Sequence, residues 1–175
     1  ERRSREEGMQ LVIRDWAHLD FTGVPFVEKP SYSFVINEAL RSRFAIREIA
    51  VVRHPVDQWL SLRKLAVMKN RISLPAFLRG YRKYAERCTA IDFIAYENFV
   101  RSPVDQCVLM CEVLGIDFDP HFIHNWMYYK TITGDVKSSR GGNTIAHMPR
   151  RAVEPGLLEA CLRNRDYRKS IEILG

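Results

Sequence analysis

Arg53 and Ser61 lie on either side of what the sequence makes a strand-to-helix junction. Arg53 ends the apolar run Ile49-Ala50-Val51-Val52, and Pro55 follows after His54. A run apolar at every position suits a strand covered on both faces. Proline fits the first turn of a helix, where its missing N–H costs nothing. Val56, Trp59, Leu60, Ala66 and Val67 then continue at helical spacing. A guanidinium at a strand end and a hydroxyl two turns into the next helix can meet on one phosphate. Arginine presents a planar fork of donors matched to phosphate oxygens. The helix N-terminus adds its own N–H groups and dipole. The same residues also allow a structural role, with Arg53 paired to Asp57 and Ser61 on a solvent face.

A group that moves a proton is the second requirement of transfer chemistry. Arg14-Asp15-Trp16-Ala17-His18 offers two candidates, Asp15 and His18. Imidazole titrates near neutrality, so His18 suits the task better. A loop histidine bonded to backbone is the alternative. Arg14 could act as a stabilising cation or be the partner of Asp15. Cys107 and Cys111 lie one helical turn apart, and His121 and His124 are spaced i, i+3. Without a CxxC, an HxxxH or a third ligand, they point to structural residues and no metal. His147 is read as structural too. Cys88, Cys107, Cys111 and Cys161 are expected to be buried reduced thiols, which suits a cytoplasmic protein.

The elements that must position these groups follow from periodicity. Glu1 to Gln10 is the end of a polar helix, broken near Gly8. Leu11-Val12-Ile13 is expected to be a buried strand, and His18 to Tyr32 a loop rich in Gly, Pro and aromatics. Asn37 to Phe44 is short helix or irregular. A helix is predicted over Pro75 to Cys88, with Phe77, Leu78, Tyr81 and Tyr84 on its apolar side. A strand spans about Ala90 to Ala95, and Tyr96 to Phe99 forms a turn. Ser102 and Pro103 open a helix that Gly115 closes. A short helix lies near Pro120 to Tyr129, and Thr131 to Ile145 is a polar loop. Helices over Glu154 to Arg163 and Asp166 to Leu174 end the chain. Alternating strand and helix predicts an α/β domain, a parallel sheet with helices on both faces. Ligands of such sheets bind beyond the carboxyl ends of the strands. Arg14-Asp15, Arg53-His54 and Tyr96-Glu97 would then share one rim.

Val51-Val52-Arg53-His54-Pro55-Val56-Asp57-Gln58-Trp59-Leu60-Ser61 resembles the 3′-phosphate-binding segment of sulfotransferases. That family uses 3′-phosphoadenosine 5′-phosphosulfate as its donor. The resemblance implies that Arg53 and Ser61 hold the 3′-phosphate. Ile94-Ala95-Tyr96-Glu97-Asn98-Phe99 before Ser102-Pro103 is similar to the family's Tyr-Glu-Asp segment, which implies Tyr96 near the adenine. A rim aromatic packed on its neighbours is the other reading of Tyr96. Gly134 to Gly142 resembles the late basic glycine loop, which implies phosphate contacts from Arg140, Gly141 and Gly142. The family's Arg-Lys-Gly run is not reproduced there, and a polar surface loop explains the same residues. The likeness runs from Leu11 onward and implies a P-loop-like fold. The family's 5′-phosphosulfate loop has no counterpart in the sequence, so the fold is expected to be N-terminally incomplete.

The chain has 175 residues with a formal net charge of +6, one domain by length, spanning residues 1–175. The charge favours anionic ligands. The arginines are dispersed, which argues against a nucleic-acid arm. No apolar run reaches the roughly 18 residues of a membrane span. The expected reaction moves a sulfuryl group to a hydroxyl or amine of a small-molecule or carbohydrate acceptor. A P-loop kinase is the alternative enzyme, for which Asp15 is the sole candidate strand-end aspartate. A non-catalytic module for anionic polymers or nucleotides is the alternative resting on charge alone.

Overall fold

The computed structural model describes residues 6–8, 10–65, 68, 70–128 and 145–175. Two strands, β1 (Ile49–Val52) and β2 (Asp92–Ala95), pair in parallel. Parallel neighbours need a crossover between them. Here it consists of α3 (Pro55–Leu62) and α4 (Leu74–Cys88). Before β1 come α1 (His18–Thr22) and α2 (Val35–Arg41). After β2 follow α5 (Tyr96–Arg101), α6 (Pro103–Leu114), α7 (Phe122–Asn125), α8 (Pro155–Arg163) and α9 (Arg165–Leu174). A 3₁₀ turn, Trp126–Tyr128, continues α7. The described residues thus form a mixed α/β arrangement around a small parallel sheet. None of their helices is long and apolar enough to cross a membrane.

The centre of the packing is α4. Ser73 opens it by accepting the Ala76 N–H at 3.4 Å, and Pro75 sits in the first turn. Its buried residues Phe77, Leu78, Tyr81, Ala85 and Cys88 form one stripe. Phe77, Leu78 and Tyr81 pack with Val56 and Trp59 of α3, Cys161 of α8 and Tyr167 of α9. Cys88 packs with Ala50 and Val52, which alternate onto one face of β1. Along the same helix, Arg82 donates to Asp166 of α9 at 2.6 Å. Gly80 lets α1 come close: a Cβ there would lie 2.2 Å from the Phe21 carbonyl oxygen.

The sheet is covered unequally. Ile94 is 2% exposed, whereas its register partner Val51 is 53% exposed. The expectation of a strand at Leu11-Val12-Ile13 is not met. Leu11 is 61% exposed and none of the three belongs to a strand. A strand needs a ladder, and these residues have no strand partner among the described residues. Tyr84 and Tyr81 of α4 donate instead to the carbonyls of Val51 and Arg53, at the end of β1.

Other boundaries move for local reasons. His18 to Thr22 is a short helix within the expected loop, ended by Gly23 at φ 76°. Tyr96 to Arg101 is a helix and not a turn. Ser102 makes no capping bond with its side chain, because φ −135°, ψ 66° at this residue joins two helices directly. Gly115 ends α6 in the left-handed region as expected, at φ 65°, ψ 41°. Cys88 and Cys161 are buried and free, but Cys107 and Cys111 are only half-buried.

Gly80→Ala is expected to destabilise the protein by about 1–3 kcal/mol, an overpacking cost. Intrinsic helix propensity would favour alanine by about 1 kcal/mol. Urea unfolding distinguishes them, since a gain in stability would mean that α1 and α4 separate without cost.

Candidate functional site

The register of the sheet sets the site. Val52 pairs with Ala95, so the next residues of the two strands emerge side by side. The Arg53 guanidinium carbon lies 4.7 Å from the centroid of the Tyr96 ring. A cation over an aromatic face is held by the ring quadrupole. The His54 backbone N–H donates to Glu97 Oε1 at 3.0 Å, tying the two strand ends again. The Arg53 carbonyl accepts from the Tyr81 hydroxyl. Arg53 Nε is nevertheless buried and has no hydrogen-bond partner among the described residues. A buried guanidinium N–H without an acceptor is costly, and an anion is its natural complement.

Ser61 is half-buried on α3. Ser61 lies about 9 Å of helical rise beyond Pro55. Asp57 does not pair with Arg53. It is 7% exposed and accepts from Arg150 Nε at 2.9 Å. Arg150 Nη2 also lies 2.8 Å from His54 Nδ1, and Val56 N–H points to the same ring nitrogen at 3.3 Å. The neighbouring Arg151 donates to the Leu60 carbonyl at 3.2 Å. Burial, with Arg150 nearby, holds His54 below the ordinary histidine range against the pull of Asp57 and Glu97.

The proton-transfer candidates lie elsewhere. Asp15 and His18 line a cavity of about 1020 Å³, with Leu11, Val51, Tyr84 and Met110 among its other walls. Arg53, Ser61 and Tyr96 are not part of that lining. Asp15 is exposed, while His18 is half-buried and packs edge-on to Trp16 at 4.0 Å. His18 bonds to the Val24 backbone, and its Nε2 is buried without a partner among the described residues. Burial lowers its pKa to about 4, so the ring is neutral at pH 7. A neutral imidazole has the free lone pair that a base requires. The expected shared rim therefore holds for Arg53-His54 and Tyr96-Glu97, and Arg14-Asp15 is not at the end of a strand.

Arg140, Gly141 and Gly142 lie outside the described residues. Among the described residues, no group of three or more His, Cys, Asp or Glu is arranged to hold a metal ion. The sequence reading missed Arg150, Tyr81 and the bond from His54 to Glu97. Arg150 is 93 positions from Asp57, and no local pattern signals that pairing. Comparison with family models, curated proteins and solved structures finds no match for this chain.

Folded His18 binds a proton less readily than in the unfolded chain, where histidine titrates near 6.5. Its contribution to stability is complete above about pH 6.5 and falls away towards about pH 4. Urea unfolding across this window should show stability rising with pH. The slope should be shallower in His18→Gln, and equal slopes would mean that His18 titrates normally in the fold.

Proposed function

We propose that the protein is a sulfotransferase using 3′-phosphoadenosine 5′-phosphosulfate, with a small-molecule or carbohydrate acceptor. One observation carries the reading: a buried arginine N–H without an acceptor, at the end of a parallel strand and beside an aromatic ring. A nucleotide phosphate suits that combination. The guanidinium would bind phosphate oxygens, and Tyr96 would hold the guanidinium from behind while offering an edge to the base. The resemblance of Val51 to Ser61 to the family's 3′-phosphate segment adds a hydroxyl from Ser61. Arg140, Gly141 and Gly142 enter through the resemblance alone. A P-loop-like topology is part of the proposal, supported by the parallel pair with its helical crossover.

The donor supplies the sulfuryl group, and the chain's residues supply position and charge. Arg53 would neutralise the 3′-phosphate and so anchor the nucleotide at the sheet edge. His18 is kept as the group to take the acceptor's proton, which requires the acceptor to uncover the buried Nε2 and to raise its lowered pKa on binding. Asp15, exposed to solvent, is the second candidate. The acceptor hydroxyl or amine would have to lie in the cavity lined by both.

Calorimetric titration with adenosine 3′,5′-bisphosphate tests the reading. Arg53→Ala is expected to weaken binding about 10- to 100-fold, the loss of a charged hydrogen-bonded contact. Arg53→Lys should recover part of it, because it keeps the charge but lacks the fork. Equal affinity in wild type and Arg53→Ala would remove Arg53 from the site.

A further inference from the structure

We infer that Arg150 is a positioning residue that locks the His54 ring as the N-terminal cap of α3 and so fixes the junction from which Arg53 projects. Donors and acceptors at the junction set the tautomer of His54. Guanidinium has only donors. Arg150 Nη2 and the Val56 N–H both point at His54 Nδ1, at 2.8 and 3.3 Å. That nitrogen must therefore carry a lone pair, and the ring proton resides on Nε2. His54 thus does for α3 what serine or aspartate does at other helix starts. Arg150 makes the arrangement durable by also gripping Asp57 Oδ2 at 2.9 Å, one turn along the same helix. Asp57 is nearly buried, so its charge needs this partner.

The clamp reaches the candidate site through the chain itself. His54 follows Arg53, and its backbone N–H is fixed by Glu97. With the ring fixed on one side and the N–H on the other, His54 has little freedom to turn. Arg53, bracketed by the Tyr81 hydroxyl and the Tyr96 ring, is held in the same frame.

The clamp is sensitive to protons. The groups facing His54 are Asp57 of α3, Glu97 of α5, Arg150 and the Tyr167 ring of α9. The two carboxylates favour the charged ring; burial and Arg150 oppose it and prevail. A proton on Nδ1 would remove the acceptor from Arg150 and Val56 together. The cap is therefore present at neutral pH and lost as pH falls through the folded pKa of His54.

The test is an NMR titration of the His54 ring in the whole chain, with amide exchange at Val56 as a second readout. Arg150 is more than half exposed but partners the buried Asp57, so urea unfolding first checks that each variant is folded at the titration temperature. In Arg150→Gln, His54 should titrate at higher pH and Val56 should exchange faster. In Arg150→Lys, which keeps the charge, the titration should stay close to wild type. An unchanged His54 titration with unchanged Val56 exchange in Arg150→Gln would overturn the clamp. A third readout rests on the reading of Arg53 as a phosphate ligand: adenosine 3′,5′-bisphosphate should bind Arg150→Gln several-fold more weakly. Unchanged affinity there, with the titration moved, would overturn the role of Arg150 in fixing Arg53. A wild type that binds no nucleotide would remove the phosphate reading, and the titration would still decide the clamp.

Discussion

Parallel pairing of Val52 with Ala95 is the constraint on which the rest of the site depends. It brings two chain segments out of the sheet at the same level. Arg53 then meets Tyr96, and the His54 N–H meets Glu97, without any long loop to order. A shift of one residue would turn the side chains of one strand to the opposite face and separate both pairs. The register is in turn held by burial, since Ala50 and Val52 must face Cys88 and the rest of α4.

Several polar groups at this junction are paired across distant segments. The carbonyls of Val51 and Arg53 are taken by tyrosine hydroxyls, the His54 N–H by Glu97 and the Asp57 carboxylate by Arg150. Arg53 Nε, Trp59 Nε1 and Arg151 Nε around the same helix are buried without a partner among the described residues. Arg53 differs from the other two in lying at the end of β1, over the Tyr96 ring. Its neighbours also limit what the guanidinium can do, because Tyr96 occupies one face of it and the strand end fixes its stem.

Asp15 and His18 share a largely apolar cavity that Arg53, Ser61 and Tyr96 do not line. The separation has a physical cause. Leu11 to Ile13 has no strand partner among the described residues; it runs exposed along the cavity and does not bring Arg14-Asp15 to the rim formed by β1 and β2. Sulfuryl transfer would require the base and the nucleotide to approach a common point.

The sequence by itself determined the elements whose signals are local. The continuous apolar run placed β1, prolines marked the starts of α3 and α6, Gly115 ended α6, and the 3.6-residue stripe from Phe77 to Cys88 drew α4 almost to its boundaries. It also singled out Arg53 and Tyr96, since polar groups that follow apolar strands are visible as such. It erred at Leu11 to Ile13, where an apolar run names a strand but not its partner, and at Tyr96 to Arg101, where a turn and one helical turn look alike. Only the tertiary structure decided that Asp57 belongs to Arg150 and that α4 supplies hydroxyls to β1. Those contacts join residues distant in the chain, and no spacing rule encodes them. Their energy comes from satisfying groups that burial has already cut off from water, which is a property of the folded packing.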